Sequence, residues 1–195
     1  MQRRRGEDSI MLKIILKNKK LSQVWIETVI YTLIGLTVIG LLLSFAKPKI
    51  EAIRDKAVID QTINALTDLD KQISDIIIAP GNIRYAFFTI KRGELTINPS
   101  QDTIEYVLKN SKYIYSELNK NATTIKMNLG TLYIKTEGNK SVDVKLWIDY
   151  SEYLDIKYNM VDTQKTISAA AIPYKIGLNN KGKRGEVNLI DVTVS

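Results

Sequence analysis

Residues 28–46 read TVIYTLIGLTVIGLLLSFA, nineteen residues without a single charge. At the helical rise of 1.5 Å per residue this run spans about 28 Å, close to the thickness of a bilayer core. Apolar side chains fall on every side of such a helix, so no face of it suits water. As the core helix of a soluble protein, it would need a much larger body around it than the rest of this chain supplies. The run is therefore read as a membrane span. It is too long for the apolar region of an ordinary secretory signal, and Lys47-Pro48-Lys49 follows where a small-residue cleavage site would stand.

The flanks orient the span. Of the net charge of +7, residues 1–22 carry +5: Arg3, Arg4, Arg5, Lys13, Lys17, Lys19 and Lys20 against Glu7 and Asp8. A basic segment before a span stays on the cytoplasmic side, which puts everything after residue 47 outside. The basic character is thus a property of the amino-terminal tail, and nucleic acid is not an expected partner. A chain of 195 residues has room for one globular domain besides the span.

The composition also excludes chemistry. There is no cysteine and no histidine, so disulfides, thiolate metal sites and the commonest general base are all missing. No G-x-G-x-x-G, G-x-x-x-x-G-K-S/T or G-x-S-x-G occurs. Asp149, Glu152 and Asp155 lack the pattern of an EF-hand loop and read as strand-edge solvation. Lys181-Gly182-Lys183-Arg184-Gly185 reads as a solvated basic turn with no aromatic platform beside it. The expectation is a protein that is not an enzyme, with no catalytic, metal or cofactor site.

One residue stands out at the border of the span. Glu27 follows Gln23-Val24-Trp25-Ile26 and enters the apolar run, where a carboxylate is costly unless it is paired or stays among headgroups. The run Lys19-Lys20-Leu21-Ser22-Gln23-Val24-Trp25-Ile26-Glu27, followed by the apolar helix, resembles the class III signal of archaeal type IV pilins. In that family a prepilin peptidase cuts before the apolar segment; the first mature residue is often Gln, and Glu stands fifth. The resemblance implies processing between Ser22 and Gln23, with Ser22 where the family usually has Gly or Ala. It further implies that Glu27 pairs with the new amino terminus at Gln23 of a neighbouring subunit, each neutralising the other away from water and setting the axial register.

Residues 49–79 continue as a helix, with Ile50, Ile53, Ala57, Ile63, Leu66, Leu69, Ile73 and Ile76 as an apolar stripe. Pro48 kinks or breaks the helix, and Pro80-Gly81 ends it. The stripe packs either on the chain's own head or in a coiled coil; the lack of strict heptads favours the head. Residues 83–90, 94–97, 131–136, 142–148, 153–158, 174–178 and 187–194 read as strands, 113–115 extends the pattern, and 102–109 is either strand or short helix. A twisted antiparallel sheet or small sandwich of six to nine strands follows. Two sequons, at Asn121 and Asn139, lie in expected loops on the external side and are candidate N-glycosylation sites.

The fold class expected is therefore α+β, a pilin-like lollipop: a basic cytoplasmic leader (1–22), a transmembrane helix (23–47), an extracytoplasmic amphipathic helix (48–80) and a β-rich extracellular head (81–195). The function that the resemblance implies is a structural subunit of an archaeal type IV pilus-like filament. It would sit in the membrane with its amino terminus cytoplasmic before assembly and at the cell surface afterwards. Its partners would be identical or related pilin subunits, membrane lipid, the prepilin peptidase and the assembly platform. The alternative is a permanently anchored single-span protein with an extracellular binding or adhesion domain.

Overall fold

A computed structural model describes the backbone of residues 3–139 and 141–195, and the side chains from Trp25 onward except Lys140. The chain divides into two compact units, Met1–Pro48 and Lys49–Ser195. One helix, α1 (Arg3–Ile76), makes up the first unit and opens the second. Pro48 lies inside α1 and does not end it, although its missing N–H leaves the Ser44 carbonyl without the usual helical donor. The helix stops at Ile76, and a turn of residues 77–81 follows, slightly before the expected Pro80-Gly81 boundary.

Among the described residues the second unit carries ten strands: β1 (Ile83–Phe88), β2 (Glu94–Asn98), β3 (Thr103–Leu108), β4 (Thr123–Lys126), β5 (Thr131–Gly138), β6 (Val142–Asp149), β7 (Leu154–Tyr158), β8 (Lys165–Ser168), β9 (Tyr174–Arg184) and β10 (Val187–Val194). They form a four-stranded sheet in the order β1-β9-β10-β7 and a six-stranded sheet in the order β4-β5-β6-β3-β2-β8. Every pairing is antiparallel except β10 with β7. The protein is thus α+β, a long amino-terminal helix followed by a mainly antiparallel β domain.

Alternation decides which faces are covered. In β5 and β6 every second residue is buried, so Leu132, Ile134, Val144, Leu146 and Ile148 point to one side while Tyr133, Lys145 and Trp147 point to the other. Ile59, Leu66, Leu69, Ile73 and Ile76 of α1 join residues of both sheets in a single core.

Several expectations need correction. Ile50 and Ile53 are 48% and 69% exposed, and Ala57 is exposed as well. At about 100° per residue, Ile53 and Ala57 lie on nearly the opposite side of the helix from Ile59 and Leu66, so no sheet faces them. The buried stripe starts instead at Asp55 and runs through Ile59, Thr62, Leu66, Leu69, Ile73 and Ile76. Residues 113–115 form no strand; Tyr113 and Tyr115 meet edge to face in the loop after β3. Residues 102–109 resolve to strand β3. Residues 181–184 are the end of β9 rather than a free basic turn, and the turn itself falls at Gly185 and Glu186. Two short strands, β4 and β8, were not expected, and they take the strand number past nine.

Candidate functional site

The first unit's described side chains, residues 25–48, are all exposed. Trp25 at 70%, Tyr31 at 72% and Phe45 at 73% give the scale. The helix is long and apolar enough to cross a membrane. Its hydroxyls are prepared for an apolar medium. Thr32 and Thr37 each donate to the carbonyl four residues back at 2.8 Å, and Ser44 donates to Leu41 at 2.7 Å, so none of these three hydroxyls needs water. Gly35 and Gly40 leave open space where a Cβ would stand.

Glu27 lies on this helix and is exposed, next to Trp25 and Ile26. The side chains of Ser22 and Gln23 lie outside the described residues. The candidate glycosylation residues Asn121 and Asn139 are both exposed, Asn121 just before β4 and Asn139 between β5 and β6.

In the second unit, polar side chains that the sequence does not single out fasten α1 to the strands. Asp55 is fully buried; its carboxylate pairs with the Arg92 guanidinium and accepts the Lys112 N–H at 2.7 Å. Tyr106 completes this anchor by donating to the Arg92 carbonyl at 2.5 Å, and burial pushes its phenol above the ordinary range. Gly93 makes room for it: at φ +82° a Cβ there would stand 2.5 Å from the Tyr106 hydroxyl.

Asp70, also fully buried, accepts the N–H groups of Asn128, Leu129 and Gly130 at 2.7, 3.1 and 3.0 Å. Asn180 closes the helix end, its amide donating to the carbonyls of Ile76 at 2.8 Å and Ala79 at 3.2 Å. The Ile76 carbonyl is among the last four of the helix, which have no intrahelical donor, and the Ala79 carbonyl belongs to the turn that follows. Tyr150 is buried beside Asp70, its hydroxyl without a hydrogen-bond partner among the described residues, and burial first, then the Asp70 charge, raises its phenol well above the ordinary value.

Three of the acidic and basic residues noted in the sequence, Asp149, Asp155 and Arg184, are engaged locally. Asp155 pairs with Lys157 and Arg184, and Asp149 accepts from the Ser151 N–H and hydroxyl. The signal for the helix anchors was faint but present: Asp55 falls four residues before Ile59, in phase with the apolar stripe, and Asp70 directly follows Leu69 within it.

Comparison with family models, curated proteins and solved structures returns no match.

Proposed function

We propose that this chain is a structural subunit of a type IV pilus-like surface filament, assembled through its apolar amino-terminal helix after prepilin-type processing. The observation that carries the reading is the uncovered apolar helix of residues 25–46, with Glu27 at its leading edge. An apolar helix whose side chains are exposed along its length must be covered by lipid or by other protein. A filament subunit uses both in turn, lipid before assembly and the helices of its neighbours afterwards. The anchors at Asp55, Asp70 and Asn180 fit a subunit whose head must stay fixed to its own stalk. The role is structural, not catalytic, and Asn121 and Asn139 are available for N-glycosylation.

Two substitutions test this. Glu27→Leu should abolish or severely reduce filaments while the protein stays in the membrane fraction; normal filaments in that variant would overturn the assembly role. Ser22→Trp should leave the precursor at full length, and unchanged processing would overturn the cleavage position.

One observation favours the second reading, a permanently anchored binding protein. On β1 the residues Ile83, Tyr85 and Phe87 share one face and are exposed, with Lys175 Nζ 3.9 Å from the Tyr85 ring centroid. An apolar column on an edge strand suits attachment to another protein. Under this reading Glu27→Leu leaves every measurable property of the protein intact.

A further inference from the structure

We propose that the end of the second unit at which its chain begins is a lipid-facing surface that seats the headgroups of anionic phospholipid. The inference rests on the membrane reading above and adds a second, peripheral contact with the same bilayer.

Lys49 follows the last residue of the apolar run, Ala46, by only three positions. Six residues further on, Asp55 draws two loops to this end of the unit. Its carboxylate holds Arg92, in the loop after β1, and the Lys112 N–H, in the loop after β3. A third loop joins them, because the Ala170 N–H between β8 and β9 donates to the Ile90 carbonyl at 3.0 Å.

The side chains gathered here are cations interleaved with exposed aliphatics. Arg54, Arg92 and Lys112 line one concavity together with Glu51 and Asn110. Asp55 offsets the charge of Arg92, whereas Arg54, Lys91 and Lys112 make no ion pair among the described residues. Ile53 and Ile114 are 69% and 52% exposed on the same loops and helix turns. The third loop reads Ala169-Ala170-Ala171-Ile172-Pro173, and Ile172 at its tip is 77% exposed. Such a loop offers water no polar side chain at all.

The opposite end differs. Residues 98–102, 127–130 and 149–153, gathered around Asp70 and Asp102, contain Asp102, Asp149 and Glu152 but neither lysine nor arginine, while the β9–β10 hairpin beyond the helix end carries Lys181, Lys183 and Arg184, the last paired with Asp155, beside glycines and with no alanine–isoleucine loop. Cations beside exposed aliphatic residues match an anionic bilayer surface, where the charge attracts and the apolar tips enter the headgroup boundary. An acidic protein partner would suit the cations but not the alanine–isoleucine loop. The short tether to the apolar run also keeps this end at high local concentration near lipid, so a weak contact is populated.

The absence of cysteine makes the test clean, since one introduced cysteine takes a unique label. Full-length Ile172→Cys and, as the control at the other end, Tyr153→Cys are labelled with a polarity-sensitive fluorophore. Each is placed in vesicles of phosphatidylcholine with or without phosphatidylglycerol, and quenching by a lipid-borne nitroxide is read. The 172 probe should be quenched in the phosphatidylglycerol vesicles and the 153 probe should not. Adding Lys91→Gln should lower the docked-to-undocked ratio about fivefold, the worth of one basic residue near an anionic surface. Equal quenching of the two probes would overturn the inference. So would 172 protection that rises with the protein-to-lipid ratio, because a second copy would then be covering the loop. Alkaline carbonate extraction separates the two levels. A chain that is extracted overturns the membrane reading and the inference with it; a chain retained with an unquenched 172 probe overturns the inference alone.

Discussion

Replacing Asp70 by alanine should cost the β domain about 3–4 kcal/mol. Its carboxylate is fully buried and accepts three backbone N–H groups from one loop. Hydrogen bonds to a charged group contribute about 1.5–3 kcal/mol each, which sets a ceiling of about 9 kcal/mol. Two effects bring the loss below that ceiling. The variant no longer has to desolvate a carboxylate, a cost of several kcal/mol in the native protein. The bonds from Asn128 and Leu129 are also only part-buried, so water can replace the carboxylate there, whereas the bond from Gly130 is buried and its N–H would be left without an acceptor. Asp70→Asn is the finer probe. It keeps the shape and one acceptor oxygen but sets an amide NH₂ against an N–H, and should lose about 2 kcal/mol. Urea unfolding of the full chain in detergent micelles, followed by Trp147 fluorescence with Trp25→Phe, reads the head alone. A loss below about 1 kcal/mol for Asp70→Ala would refute the anchor argument, since it would mean the three N–H groups find other partners at no cost.

Gly130→Ala should destabilise the same loop by about 1–3 kcal/mol, because the new Cβ would stand 2.5 Å from Ile148 Cγ2 and 3.0 Å from Tyr150 Cε1; the same unfolding curve measures it, and an unchanged midpoint would contradict the packing described. Tyr150→Phe should be neutral or stabilising by up to about 1 kcal/mol, since it removes a buried hydroxyl without a hydrogen bond. The pH dependence should follow the same phenol. Its pKa is raised in the folded state, so the unfolded chain releases the proton first and stability falls as the pH rises above the ordinary value of 10.0. Unfolding curves measured on either side of that value should show a steeper alkaline loss in the parent than in Tyr150→Phe, and parallel curves would contradict the burial argument.

The long helix was legible because nineteen uncharged residues in a row admit few other readings. The strands with long alternation were legible for a similar reason: β5 and β6 each bury three residues at every second position, 132, 134 and 136 in one and 144, 146 and 148 in the other. β4 and β8 were not, because TTIK and KTIS are each four residues long and owe their form to one neighbouring strand that the sequence does not reveal. Residues 113–115 show the reverse error, since strand-forming side chains with no partner strand remain a loop. The apolar stripe failed at its start because Ile50, Ile53 and Ala57 are apolar yet out of phase with the face that meets the sheets. Asp55 and Asp70 are not singled out by the sequence because a helix carboxylate usually faces water; only their placement within the stripe marks them, and their donors, 37 to 60 residues away, come from the fold. For the candidate assembly site, the structure adds that the helix carrying Glu27 is uncovered, while its assembly role rests on the resemblance of residues 19–27 to the pilin signal.

The most direct test of the filament account is to purify native surface filaments, image them by electron microscopy and determine the amino terminus of this chain within them by mass spectrometry. The account predicts that the chain is a filament component beginning at Gln23. A chain absent from filaments and retaining residues 1–22 in the membrane would contradict it.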